Sequence, residues 1–136
     1  MKNLNNYLID NYKLIKENDN YHYENKNKEI ISIVKYYDYK IDNFDWILIS
    51  DIDTKINYRR QGLASKLIDK IYNDIALKRN CGLYLFVKQN NVNAINLYIK
   101  LGFKILKKYK IDNTIYYIMI KGNTNSSQFD NMQFGN

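Results

Sequence analysis

The 136-residue chain has no proline, one cysteine, one histidine, one tryptophan and five glycines. A lone cysteine, Cys81, excludes an internal disulfide. It precedes Gly82 and an apolar run, which is the setting of a buried core thiol. A catalytic thiol needs a histidine partner, and the only histidine, His22, is far away in sequence. No stretch approaches the roughly 18 apolar residues of a membrane-spanning helix, and Met1 to Lys16 lacks the apolar segment of a secretory leader. No membrane partner and no metal are expected, and a cytoplasmic, intracellular location is the default. The sequon Asn125-Ser126-Ser127 therefore carries no weight.

What the chain does contain is 46% hydrophobic and 26% charged residues, a globular balance sufficient for one domain with a real core. Asn, Lys, Ile and Tyr are all abundant and all have AT-rich codons, so base composition accounts for part of the +7 net charge. The basic residues are spread along the chain apart from one cluster at Lys104, Lys107, Lys108 and Lys110. Nucleic acid is accordingly not expected as the main partner, and a small basic nucleic-acid-binding domain is the weakest of three readings.

Along residues 1–18, Leu4, Leu8, Tyr12 and Ile15 recur at helical spacing and predict an amphipathic helix. Tyr21–Glu24, Glu29–Tyr37 and Trp46–Asp53 read as three strands joined by polar turns, an antiparallel meander. Leu63, Leu67, Ile68, Ile71 and Ile75 mark one face of a helix of about four turns, ended by Arg79-Asn80-Cys81-Gly82. Leu83–Val87 is a continuous apolar run, as expected of a strand covered on both faces. Asn90–Asn93 opens a short helix with Ala94, Ile95, Leu97, Tyr98 and Leu101 on its apolar side, closed by Gly102. Phe103–Tyr109 and Ile115–Ile120 form a hairpin turning at Asp112-Asn113. Residues 1–121 are read as one domain and 122–136 as a disordered tail.

Between the strand Trp46–Ile52 and the helix starting at Leu63 lies Tyr58-Arg59-Arg60-Gln61-Gly62-Leu63-Ala64. A short loop rich in N–H donors that opens a helix is a cradle for phosphate. Downstream, Asn91-Val92-Asn93-Ala94-Ile95-Asn96-Leu97-Tyr98-Ile99-Lys100-Leu101-Gly102-Phe103 forms a second block. Arg59 to Ala64 resembles the R/Q-x-x-G-x-G/A signature of the GNAT superfamily of N-acetyltransferases. The second block resembles its N-x-x-A-x-x-L-Y-x-x-x-G-F motif. The pair, about 30 residues apart on the expected elements, is far more specific than either alone. In motif the chain is most similar to ribosomal-protein N-terminal acetyltransferases, over about Trp46 to Lys121.

The resemblance implies an α+β fold. Its core is a mostly antiparallel twisted sheet of about six strands with helices on both faces. The family begins with a strand and two helices, and only about one helix fits before Tyr21. The first strand and part of the N-terminal helical region are therefore expected to be missing, a gap that a partner subunit or a second copy could complete. The implied activity is acetyl transfer from acetyl-CoA directly to a primary amine on a small molecule or peptide. A non-catalytic acyl-CoA-binding relative is the alternative.

By the same resemblance, the N–H groups of Arg60, Gln61, Gly62, Leu63, Ala64 and Ser65 face the cofactor's pyrophosphate, and Arg59 and Arg60 add charge. Gly62 lets backbone approach closely because it has no Cβ. Ile52, Asp53 and Thr54, on a bulged strand, hold the pantetheine arm and the acetyl carbonyl, and Asn91 bonds that arm. Tyr98 protonates the departing thiolate as general acid. The pattern fails at the general base: where the ribosomal-protein enzymes carry a Glu on the strand before the second motif, this chain has Phe86. Asp51, Asp53 and Glu24 are the substitutes, Asp51 and Asp53 being placed on one face by strand alternation.

Overall fold

The structure, a computed structural model, describes residues 12–41 and 44–122. One seven-stranded sheet runs in the order β1-β2-β3-β4-β5-β7-β6. Its strands are β1 (Lys13–Lys16), β2 (Asn20–Glu24), β3 (Ile30–Ile41), β4 (Phe44–Thr54), β5 (Gly82–Lys88), β6 (Lys104–Ile111) and β7 (Thr114–Lys121). All neighbours are antiparallel except β4 and β5, whose parallel pairing is made by helix α1 (Leu63–Ile71) crossing between them. Helix α2 (Val92–Lys100) follows β5.

The N-terminal reading needs two corrections. Lys13–Lys16 is an edge strand paired with Tyr21–Glu24, not the end of a helix, and the rest of the expected helix lies outside the described residues. The sheet thus has one more strand than the expected six, and a strand does precede β2, joined to it through residues 17–19 with no helix between. The four-residue spacing misleads here because an edge strand is fixed by its neighbour's backbone groups rather than by its own period. The expected turn at Asp42-Asn43 and the tail beyond Gly122 are also outside the described residues, and Ile41 pairs with Phe44 on either side of that turn.

Strand alternation sorts the core into two clusters. Ile47, Ile49, Leu83, Leu85, Val87 and Met119 join Leu67, Ile68 and Ile71 of α1 and Ile95 and Tyr98 of α2 on one face. Trp46, Tyr84, Ile118 and Ile120, with Leu48, Phe86, Leu106 and Tyr109 packed beside them, form the second cluster on the other face. Both described helices therefore share one face of the sheet. Leu67, Ile68 and Ile71 are fully buried, each contributing about 1.5–3 kcal/mol of transfer free energy as an upper bound. After Ile71 the helix widens into a π turn, Tyr72–Ala76, with Leu77 N–H donating to Tyr72 O at 2.8 Å. This brings Ala76 rather than the expected Ile75 to full burial.

The π turn also clips the sheet edge. Lys16 Nζ lies 2.6 Å from Asp74 Oδ2, and the Tyr21 hydroxyl donates to the same oxygen at 3.0 Å. Chiefly through Lys16, these contacts hold the Asp74 carboxyl below its usual range. A depressed carboxyl contributes stability that is present above the unfolded-state value of about 4 and is lost as pH falls through the lower folded value. Asp74→Asn should therefore lower unfolding free energy by about 1 kcal/mol at pH 7. Urea titrations should show that difference shrinking toward pH 3.

Candidate active site

The parallel pairing of β4 with β5 lasts only from Trp46↔Gly82 to Leu48↔Tyr84. Beyond it β4 continues to Thr54 and β5 to Lys88 without bonding each other, so the middle of the sheet is split. The cause on the β4 side is a bulge. Lys35 pairs with Ser50 and Ile33 with Asp53, so Asp51 and Ile52 together oppose the single residue Val34. Asp51 takes up the extra residue in a left-handed conformation, φ 50°, and the strand bends away. The bulge falls where the resemblance placed it, just ahead of the loop.

It also overturns one expectation. Asp51 and Asp53 do not share a face by simple alternation, because the inserted residue between Ser50 and Ile52 resets the period. Asp53 stands in a cross-strand row with Ile33 and His22, on the face away from the helices. Glu24 is on that face too, but on β2, with an oxygen 3.6 Å from His22 Nε2. His22 is buried, and its Nδ1 lies 2.7 Å from Asn20 Oδ1.

Past Thr54 the chain makes a 3₁₀ turn, Ile56–Tyr58, and enters the arginine loop. Arg60 and Gly62 both have positive φ, 66° and 73°, and this winding turns successive amides toward one side. Gly62 is the N-cap of α1 and offers no side chain to accept from the first turn, and no acidic residue stands in that turn. The first intrahelical bond is Lys66 N–H to Gly62 O, 3.0 Å, so the amides of Leu63, Ala64 and Ser65 precede the ladder. They open onto a cavity of about 250 Å³ lined by Thr54, Tyr58, Arg59, Arg60, Gly62, Leu63, Ala64, Ser65 and, from the second motif, Leu97. A Cβ on Gly62 would meet no protein atom within 4 Å. The conformation and the open space suit the close approach of a phosphate, so the loop fits an acyl-CoA pyrophosphate.

The two arginines differ. Arg59 Nε donates to Thr54 O over 2.9 Å, tying the loop back to the end of β4. That contact is made by Nε alone, and Arg59 also lines the cavity. Gln61 accepts from the Tyr12 hydroxyl at 3.1 Å and does not line the cavity. Tyr58, which sequence reasoning left out, does line it, holding Asn25 through its hydroxyl at 3.1 Å and Tyr12 edge-on at 5.9 Å. Leu97 was also missed as a site residue. Its inward period was visible, but its meeting with the loop depends on how α2 lies against α1.

In the second motif, Asn91 caps α2, its Oδ1 accepting from Ala94 N–H at 3.2 Å. The helix ends in a Schellman arrangement: Phe103 N–H donates to Tyr98 O at 2.9 Å and Gly102 N–H to Ile99 O at 3.0 Å, with Gly102 at φ 97°. The same fold-back sets the Phe103 ring against Tyr98, centroids 5.9 Å apart. The G-F pair is thus a clamp on the tyrosine. Tyr98 is 8% exposed and burial pushes its phenol above the ordinary value, so it holds its proton at neutral pH. Phe103→Ala should cost about 3–5 kcal/mol in a denaturant titration. Ile52, Asp53, Asn91 and Tyr98 do not line the 250 Å³ cavity. Cys81 is buried and its thiol is pushed up by burial, consistent with a core residue. Among the described residues no three His, Cys, Asp or Glu side chains gather as a metal site, and no helix is long and apolar enough to cross a membrane.

A family model described as "Acetyltransferase (GNAT) family" matches residues 4–103. The chain belongs to the GNAT acetyltransferase family. Solved structures agree on the fold. The NatB acetyltransferase complex bound to CoA and MES is 25% identical with a TM-score of 0.66, covering 76% of this chain and 72% of that one. The ribosomal-protein-S18-alanine N-acetyltransferase from Escherichia coli is 22% identical with a TM-score of 0.62, over 91% of this chain and 76% of that one. The NatC complex bound to Gag peptide and CoA is 23% identical with a TM-score of 0.66, over 77% and 71%. No curated protein matches the chain significantly.

Proposed function

We propose that this chain transfers the acetyl group of acetyl-CoA directly to a primary amine on a peptide or protein. The observation that carries the reading is one cavity joining the uncapped N-terminus of α1, the end of bulged β4 and Leu97 of the second motif. The amides of residues 60–65 would hold the pyrophosphate with the positive end of the helix behind them. Arg60 supplies charge, while Arg59 sets the loop against β4. Backbone groups of Ile52, Asp53 and Thr54 would hold the pantetheine arm and oppose charge developing on the carbonyl oxygen, a role worth a few kcal/mol. Asn91, already the helix cap, keeps its amide nitrogen for the arm.

Tyr98 serves as general acid to the sulfur. A protein or peptide acceptor is supported by the relatives, one solved with a Gag peptide, and a partner subunit by NatB and NatC being complexes. Thiol release from acetyl-CoA across a panel of peptide, lysine, polyamine and aminoglycoside acceptors tests the reading. The absence of any turnover in the presence of tight cofactor binding would favour a non-catalytic acyl-CoA binder, a second reading that Phe86 alone supports.

A further inference from the structure

Two hydroxyls beside the cofactor cavity have no role in the reading above. Ser32 of β3 is buried in the core, 1% exposed, and its oxygen lies 2.7 Å from Thr54 Oγ1 on β4. The two residues are cross-strand partners, and Ser32 pairs on its other side with Tyr23 of the helix-side cluster. Partners across a sheet share a face, so the Ser32 and Thr54 side chains are on the helix side. The cavity is on that side, and Thr54 is one of its lining residues.

The bulge decides which residue of β4 arrives there. Before it, Ile47 and Ile49 face the helices. Unbroken alternation would continue through Asp51 to Asp53 and turn a carboxylate toward the phosphate-binding amides. Asp51 and Ile52 together oppose Val34, so the period shifts by one residue. Ile52 then packs against the helix-side cluster, Thr54 follows it, and Asp53 turns to the opposite face. An acid is thus exchanged for a hydroxyl at the wall of an anion site.

Either oxygen of the Ser32–Thr54 pair can donate, and burial selects the direction. A hydroxyl as enclosed as that of Ser32 reaches no bulk water, and its described side-chain partner is Thr54 Oγ1. Thr54 is half-buried at the cavity wall. With Ser32 donating, the Thr54 proton turns away from Ser32 and is available to the cavity. A phosphate oxygen only accepts, so a bound phosphate favours the same direction from the other end. Hydroxyls in series polarise one another and strengthen the terminal bond. The main chain of Thr54 is fixed as well, its carbonyl accepting from Arg59 Nε at 2.9 Å.

We infer that the Thr54 hydroxyl donates to the pyrophosphate of the bound acyl-CoA and that buried Ser32 is the positioning residue that aims it. This rests on the acetyl-CoA reading above and adds a side-chain donor to the loop amides and the backbone of β4. The contact is remote from the thioester, so it acts on cofactor affinity and not on the chemical step.

The test is calorimetric titration with acetyl-CoA, set beside thermal melts, for the wild type and four variants. Thr54→Val keeps the branched shape without the hydroxyl and should bind about tenfold to a hundredfold more weakly, as for a lost bond to a charged group. Thr54→Ser keeps the hydroxyl and should bind like the wild type. Ser32→Ala should weaken binding by about threefold through loss of the polarising donor. Thr54→Val also leaves the Ser32 proton without its partner and should lower the melting temperature. The Ser32→Ala/Thr54→Val double variant removes both groups and should regain much of that stability, while its binding stays as weak as in Thr54→Val. Acetyl-pantetheine, which has the thioester and arm but no pyrophosphate, should displace bound acetyl-CoA with the same intrinsic constant in the wild type and Thr54→Val.

Unchanged binding in Thr54→Val, or equal losses in Thr54→Val and Thr54→Ser, would overturn the inference. So would recovery of binding together with stability in the double variant, the mark of a purely structural pair. A loss in Thr54→Val as large toward acetyl-pantetheine would remove the pyrophosphate as the partner. If the wild type itself does not bind acetyl-CoA, the cofactor reading fails and this inference falls with it.

Discussion

Tyr98→Phe is expected to lower kcat by about two to three orders of magnitude while leaving acetyl-CoA affinity within about twofold, the signature of losing a positioned general acid. The substitution removes one oxygen and keeps the ring that packs against Phe103. The Schellman closure of α2 depends on the backbone of Tyr98, Gly102 and Phe103 and stays intact. Since burial holds the phenol above its ordinary value, the wild-type acid should remain competent across the neutral range and lose its proton only in strong alkali. Phe at 98 should show slow transfer at every pH. If Tyr98 were only a core aromatic, kcat would be unchanged, and single-turnover measurement of thiol release separates the outcomes.

Gly62→Val should weaken acetyl-CoA binding by tenfold or more, to about a hundredfold, with little change in the folded core. A β-branched residue at φ 73° costs on the order of 1–3 kcal/mol, so the loop would leave the winding that aligns its amides. The added methyls would also occupy the open space beside Gly62, where no protein atom lies within 4 Å. Gly62 is exposed and packs against nothing, so thermal stability should fall far less than a core substitution would cause. Calorimetric titration with acetyl-CoA, set beside a thermal melt, distinguishes a lost cradle from a lost fold.

Much of this site could be read in the chain because its residues act locally. Gly62 at a helix start, Asn91 as a cap and Gly102-Phe103 as a closure each need only a few neighbours in sequence. The hairpin at Asp112-Asn113, where Asp112 adopts φ 53°, is local in the same way. What escaped depends on pairing. The edge strand Lys13–Lys16 exists through its register with β2, which no period in residues 1–18 encodes.

The bulge was expected from resemblance, but its position at Asp51-Ile52, and so the separation of Asp51 from Asp53, follows from which residues of β3 they meet. A run as uniformly apolar as Leu83–Val87 cannot say which of its side chains face the helices. Phe86 was legible only as the residue standing where a base was expected. Arg59 was read as adding charge to the loop, and its Nε bond to Thr54 O is a further scaffold contact that motif matching does not reveal.

The central claim is that the loop from Tyr58 to Ala64 is an acyl-CoA cradle. Its most direct test is titration of the purified protein with acetyl-CoA by calorimetry, alongside Gly62→Val. The account predicts saturable binding at one site for the wild type, competed by CoA, and sharply weaker binding for the variant. Absence of binding to the wild type, or equal binding to both proteins, would contradict it.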